Sequence, residues 1–554
     1  MSTIAAGFRE LLDFLQIWKN PIFSRYCRSC LRLRRLSIWT LLVIMLSIYA
    51  IVINVAFSMR FDQMTEVEAY RLAFLVLFFL QMFIMFVLGM ANVSGGMTRE
   101  RDEGVIDYQR ILSLSPPKKV VGYLFGMPVK EYALTAMTLP FTAYAIFRGE
   151  IALSIWLPFY ITFFCSTLLY HMTGVLAGTV IKNRRWAFLS SMAIVFCLYT
   201  IIPEVSKFGI NVFRYLTIRP VLEESWSYFL PRETGSVVQI IQSLNPSVSF
   251  FGLKFPSFVF ILISQAGLIL TFYVMLCRFW HRQDMGLLGK GWAVLFFGWI
   301  QFLILGNALP AIPTGEIFPS VGFSQQMTGG QVWNPDWIEV AAVCGFYGLV
   351  TFVLIMLIVS IITPDRNKQI RGWQRARKFG YSRLNWNDKA SSALPATLAL
   401  CTLGAAGWFL FLKGLVESPW FPGHHAELKH FLYVWLILLV VGVGFQSLLE
   451  WQGRIALLFA GIIAVVVPLL TGLISGILDQ ATLSVWITAL CPLTLPIAFS
   501  FTELGIGQLD LSSIARAIPY AFKFSLLVHS FVSLFIVYRL FQARKMIRTR
   551  IRVD

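Results

Sequence analysis

The chain has 554 residues, of which 57% are hydrophobic and 13% charged, and its formal net charge is +18. A water-facing surface of this size needs about a quarter of its residues charged, so a soluble globular fold is excluded and a bilayer is the natural solvent. The basic residues sit beside apolar runs, which ties them to membrane topology rather than to nucleic acid.

Residues 1–36 read as an amphipathic segment lying at the membrane interface. Phe8, Leu11, Leu12, Leu15 and Trp18 alternate with Arg9, Asp13 and Lys19 at helical spacing. The segment is mixed and basic, without the apolar core of a cleavable leader, so the first apolar run is expected to act as the insertion signal. Cys27 and Cys30 form a C-x-x-C pair with no second pair nearby. That spacing alone supports neither zinc nor a redox motif, and no metal site is expected.

A crossing helix takes about 20 apolar residues at about 1.5 Å each, and within lipid the backbone must bond to itself. Six such runs are Ser37–Met59, Ala69–Ala91, Val129–Phe147, Leu153–Val180, Trp186–Glu204 and Ser257–Cys277. Six more are Trp292–Ile312, Trp337–Ile362, Ser392–Leu412, Phe431–Leu449, Ile455–Ile477 and Tyr520–Tyr538. A further apolar stretch, Leu483–Phe501, contains Pro492 and Pro496, which break a straight helix. Counted as a crossing, it would put Arg544, Lys545, Arg548, Arg550 and Arg552 outside, so it reads as a hairpin dipping in from the outer face. With both termini cytoplasmic, the inner segments hold 33 Lys and Arg and the outer segments 10, as the positive-inside rule requires.

The predicted fold is therefore an all-α integral membrane protein of about 12 transmembrane helices. They form two six-helix pseudo-repeats, 37–280 and 281–554, each with an outer re-entrant segment before its last helix. Each half has two spans and a polar basic inner segment (92–128, 363–390). Two more spans follow, then a short basic inner turn (Lys182 to Arg185, Glu450 to Arg454) and a fifth span. An outer proline-containing patch (Leu244 to Ser247, Leu490 to Leu493) precedes the sixth. The repetition is of layout rather than of residue identity, and parallel repeats of this kind occur in transporters.

The stretch Gly96 to Gly126 carries the most information. Arg99, Glu100, Arg101, Asp102 and Glu103 open it, apolar residues recur at Val105, Ile106, Ile111 and Leu112, and Ser115-Pro116-Pro117 follows. The pattern suits an amphipathic surface helix over 97–117, stopped by proline. A solvated loop is the plainer alternative. The segment resembles the coupling-helix region of type-2 ATP-binding cassette transporter permeases. Arg99-Glu100, Gly104, Leu112, Ser115-Pro116 and Gly122 stand at that family's marks, with Val105 for its usual Thr and Tyr123 for its usual Lys. Asn20-Pro21-Ile22-Phe23-Ser24-Arg25 is similar to the entry that precedes the family's first span. The motif resemblance covers residues 19 to about 126, and the second inner segment, 363–390, lacks the marks.

The resemblance implies a permease subunit without its own ATPase site, in an exporter of the bacterial inner membrane. A separate cytoplasmic ATP-binding subunit, acting as a dimer and carrying ATP-Mg, would drive it. Arg99, Glu100, Arg101, Gly104, Ser115 and Pro116 would couple to that partner. No cofactor is expected on this chain, which has no G-x-x-x-x-G-K-[ST] loop. The remaining partners are membrane lipids and a cargo that nothing in the sequence chooses among lipid, glycan, peptide or drug.

Two other classes stay open. An ion-coupled secondary carrier would need polar groups at mid-membrane, where His171 is the candidate and a packing hydrogen bond its alternative. A membrane enzyme of glycosyltransferase type could use Asp62, Glu66 and Glu68 in the first outer loop. His424, His425 and His430 lie near Glu427 at spacing unremarkable for a metal. No nucleophile–base arrangement is visible.

Overall fold

The computed structural model describes residues 16–181, 183–206, 210–229, 247–281, 286–318, 320, 335–381, 384, 386, 388, 390–421, 424–504 and 513–553. The amphipathic pattern at 8–15, Lys182 and the patch 244–246 lie outside the described residues. The helices of the first part are α1 (Pro21–Cys30), α2 (Leu33–Phe61), α3 (Glu66–Asp102), α4 (Val105–Ile111), α5 (Pro116–Gly126), α6 (Val129–Arg148), α7 (Leu153–Val180), α8 (Arg184–Ser206) and α9 (Arg219–Phe229). Two short strands, Ser247–Phe250 and Leu253–Pro256, precede α10 (Ser257–His281). Then come α11 (Lys290–Thr314), α12 (Trp337–Ile362), α13 (Arg366–Lys378), α14 (Leu394–Val416), α15 (Leu428–Gln452), α16 (Arg454–Ile477), α17 (Ala481–Ala489), α18 (Leu495–Leu504) and α19 (Ser513–Val553).

Among the described residues, eleven helices are long and apolar enough to cross a membrane: α2, α3, α7, α8, α10, α11, α12, α14, α15, α16 and α19. Their outward faces carry large apolar side chains such as Leu41, Phe164, Phe196 and Leu473. Only lipid accommodates such faces at this density. The protein is a helical, multi-pass membrane protein.

The run Val129–Phe147 is not among the eleven. It forms a 20-residue helix, α6, but a polar stripe dilutes its hydropathy. Thr138 and Thr142 on that stripe are buried and accept hydrogen bonds from Gln81 Nε2 at 2.8 and 3.0 Å, and Tyr160 donates to Gln81 Oε1 at 2.9 Å. The stretch 483–501 forms two helices of 9 and 10 residues, α17 and α18, broken at the Pro492 turn.

The chain divides into two compact units: Met1–Glu204 with Val212–Val248 and Lys254–Gln283, and Asp284–Asp554 with Val205–Asn211 and Ser249–Leu253. In the first, α3 is the central helix. It starts under a capping box, in which Thr65 Oγ1 accepts from the Glu68 amide and the Glu68 carboxylate accepts from the Thr65 amide. Phe74 and Phe78 of α3 pack with Phe159 of α7, and Phe74 stacks on Phe229 of α9. In the second unit, the Trp408 indole of α14 lies on Gly348 of α12 and donates to the Cys344 carbonyl at 3.0 Å. Gln301 of α11 accepts from Tyr347 at 2.8 Å and donates to Thr351 at 3.2 Å.

Candidate functional site

The charged opening of the 97–117 stretch belongs to a different element from the one its composition suggests. No proline interrupts Ala91 to Asp102, and the Gly95-Gly96 pair is carried within the helix, so α3 runs on through Arg99, Glu100 and Arg101 and ends at Asp102. Gly104 then takes φ +71°, a left-handed turn open to glycine without strain. Seven residues of α4 follow. Pro116 and Pro117 open α5 rather than closing the helix before it, because the first helical turn needs no proline N–H. The stretch 97–117 is thus the last turn of α3, a turn, α4, a short link and the start of α5.

Helical rotation sends the three neighbours on α3 in different directions. Arg99 points to solvent and pairs with Glu103 at 2.8 Å. Arg101 turns to the end of α7, where its guanidinium donates to the carbonyls of Gly178 and Thr179, each at 3.3 Å. Those are orphan carbonyls at a helix C-terminus, where a cation is favoured. Gly178 itself allows the crossing, since a Cβ there would lie 2.6 Å from the Ser94 carbonyl.

Glu100 turns inward and is buried. Its carboxylate forms an ion pair with Arg25 and accepts hydrogen bonds from the Tyr26 hydroxyl and, at 2.6 Å, from the Tyr123 hydroxyl. Burial, followed by the charge of Glu100, pushes both phenols well above the ordinary tyrosine range, so both remain donors. Tyr123 in turn stacks on Trp280 of α10, with ring centroids 5.0 Å apart. One carboxylate therefore joins α1, α3 and α5.

The docking of α1 on α5 depends on two glycines one turn apart. Asn20 caps α1 by accepting from the Ile22 amide at 3.0 Å and donates to the Lys118 carbonyl at 2.6 Å. A Cβ on Gly122 would lie 2.7 Å from Asn20 Oδ1, and one on Gly126 2.8 Å from Tyr26 Cδ2. The Asn20–Arg25 entry and the Glu100–Gly122 stretch thus meet in one cluster.

On α4, Ile106 and Gln109 are buried, while Tyr108 and Ile111 are 64% and 84% exposed. Arg110 bonds Asp107 at 2.8 Å and the Phe279 carbonyl of α10 at 3.4 Å, and lies 4.7 Å over the Phe279 ring. Lys119 folds back to the Leu112 carbonyl at 3.2 Å, and burial, then the charge of Arg110, lowers its pKa. Ser115 precedes α5 as its cap residue and Pro116 fills the first helical position. The sequence carries no direct signal of the partners of Glu100, although Ile22, Arg25 and Tyr26 recur at helical spacing on one face.

His171 lies fully buried in α7. Its Nε2 meets the Met85 carbonyl at 3.0 Å, and its Nδ1 faces the Tyr132 hydroxyl at 3.3 Å. Met85 belongs to a π-helical segment of α3, Phe83–Gly89, and a Cβ on Gly89 would lie 2.5 Å from His171 Nε2. The histidine thus bonds a carbonyl that lies within the widened turn.

Several other polar residues singled out in the sequence have structural partners. Glu66 pairs with Arg148, and Glu68 serves the capping box. His430 meets the Glu427 amide at 3.0 Å and Glu503 at 3.4 Å. Buried Glu450 binds Arg544 and Gln446. Among the described residues, no group of three or more His, Cys, Asp or Glu could hold a metal ion. No protein-family model, curated protein or solved structure matches the chain.

Proposed function

We propose that this chain is the membrane-spanning permease subunit of an ATP-driven exporter, powered by a separate cytoplasmic ATPase pair that binds ATP-Mg. The observation that supports this reading most is the Glu100 cluster. It ties the interfacial helix α1 to the ends of α3 and α5, beside a short helix, α4, that presents Tyr108 and Ile111 outward. Force applied to α4 would reach α3 through Glu103 and Gly104 and α5 through residues 112–115. A partner that changes shape on binding nucleotide can shift the spans only by favouring one of their arrangements, and the short links at both ends of α4 tie it to α3 and α5.

In this reading α6 is a twelfth crossing, its polar stripe satisfied within the bundle. The α17–α18 pair is a re-entrant hairpin, because helices of 9 and 10 residues are too short for a hydrocarbon layer of about 30 Å. The crossings then fall into two groups of six, with both termini on the cytoplasmic side of a bacterial inner membrane. His171 lends no weight to an ion-coupled carrier, since both ring nitrogens are engaged in helix packing.

Purification of the chain from its native membrane tests the proposal. A stoichiometric ATPase subunit is expected. Transport that continues without ATP and stops when an ion gradient is dissipated would replace it with a carrier, and transferase activity of the chain alone would replace it with an enzyme.

A further inference from the structure

A groove of about 880 Å³ lies in the second unit, between the start of α13 and the turn joining α15 to α16. Asp365, Arg366 and Asn367 line one side, and Trp451, Arg454 and Phe459 the other. Arg366 and Arg454 are exposed. The Asp365 carboxylate is taken by Lys368 at 2.9 Å, so the two arginines leave the groove positive. Arg539, outside the lining, lies 5.5 Å over the ring of the groove residue Trp451.

What adjoins these cations distinguishes the groove from an ordinary basic surface. Gly453, at φ +85°, lets α15 turn directly into α16 and sets Arg454 at the first position of that helix. Only 6% of the apolar window of α16 is buried. Ile455, Leu458 and Phe459 are 77%, 63% and 60% exposed. The cationic groove therefore opens onto a lipid-facing wall within one helical turn, with a tryptophan at the boundary where that side chain prefers to sit.

We propose that this groove binds the headgroup of an anionic phospholipid, with its acyl chains along α16. Guanidinium groups match phosphate oxygens in charge and geometry, and basic pockets at the ends of membrane helices recruit anionic headgroups. A free phosphate would leave the apolar wall unused, and a neutral zwitterionic lipid would leave the excess positive charge unmatched. The inference is independent of what drives transport.

The test uses the purified full chain in detergent, titrated with phosphatidylglycerol, phosphatidylcholine or inorganic phosphate, with retained lipid counted by native mass spectrometry. Phosphatidylglycerol should be retained in preference to phosphatidylcholine and should resist millimolar phosphate. Arg366→Gln and Arg454→Gln should each weaken retention about fivefold. Phe459→Ala should weaken it by a similar factor through the wall, and Arg371→Gln, on α13 but outside the groove, should leave it unchanged. Equal retention of both lipids, wild-type retention in the arginine variants, or an equal loss in Arg371→Gln would overturn the proposal. Displacement by inorganic phosphate would also overturn it and reassign the groove to a soluble anion. The variants are made singly and their thermal unfolding recorded, so a misfolded protein is recognised and the others carry the test.

Discussion

Asn20 occupies the space that any side chain on Gly122 would need: a Cβ there would stand 2.7 Å from Asn20 Oδ1 and 2.8 Å from Ile22 Cβ. The amide cannot withdraw cheaply, because it also caps α1 and bonds the Lys118 carbonyl. Gly122→Ala should cost about 1–3 kcal/mol by overpacking, and Gly122→Val more. The loss should appear as release of α1, read by faster alkylation of Cys27 and Cys30 on that helix. Wild-type labelling in Gly122→Val would show that α1 is not held by this contact.

Glu100 has one ionic and two phenolic partners, and the three are not equivalent. Tyr26→Phe or Tyr123→Phe removes one donor to a charged carboxylate and should cost about 1.5 kcal/mol. Glu100→Ala leaves Arg25 and both phenols without their acceptor. Arg25 keeps partial access to water, so the expected cost is about 3 kcal/mol, the lower end for a broken buried pair. Arg25→Met should lessen the penalty of Glu100→Ala in a double-mutant cycle on thermal unfolding. Additive losses would mean that the pair is not coupled.

Much of this architecture was legible because a crossing leaves a long apolar run. Leu153–Val180 and Trp337–Ile362 have the same bounds in sequence and structure. The third run was harder to weigh, since Thr138 and Thr142 look solvent-directed until Gln81 supplies their donor. The Glu100 cluster was not legible: Arg25 and Tyr26 lie more than 70 positions away, and a single long-range pairing has no period. The charges at Arg99 to Asp102 suggested the start of a surface helix, whereas a helix already under way ends only where a residue such as Gly104 ends it. The π-helical segment has no signature in Phe83–Gly89, because the His171 side chain that meets its Met85 carbonyl comes from another helix.

That last contact gives a test of non-additivity. Gly89→Ala would push a methyl to 2.5 Å from His171 Nε2 and should cost about 1–3 kcal/mol. His171→Ala alone should also destabilise, by leaving the Met85 carbonyl without its partner. Together the two should cost less than their sum, because the smaller side chain vacates the space the methyl needs. Thermal unfolding of the three variants in detergent measures the coupling, and a sum equal to the parts would remove His171 from the account of the widened turn.

Glu503 supplies a pH dependence. The hydrogen bond from His430 holds its carboxyl below the usual range of about 4.5, with burial opposing and the charges of His430, Lys429 and Lys523 assisting. A depressed carboxyl stabilises the fold above its unfolded pKa, and the contribution is lost as pH falls through the folded value. The unfolding midpoints of wild type and Glu503→Gln should therefore differ fully above the ordinary carboxylate range and converge as pH falls through and below the depressed folded value. A constant difference across that range would show that the carboxyl is not held down in the folded chain.

Gly104 separates folding from coupling most cleanly. A Cβ there would meet nothing within 4 Å, so any effect of substitution arises from the backbone alone, at φ +71°. Asn tolerates that region and should behave nearly as glycine does, whereas a β-branched residue should cost about 1–2 kcal/mol. The strained turn can relax by continuing α3 into α4, which would swing Tyr108 and Ile111 away from their present direction. In the proposed exporter, Gly104→Val should insert normally yet hydrolyse ATP without moving cargo, while Gly104→Asn keeps the two coupled. Vesicles containing the complex, assayed for ATP turnover and transport together, measure both. Coupled transport in Gly104→Val would show that the direction of α4 is irrelevant, and the proposed lever would have to be placed elsewhere.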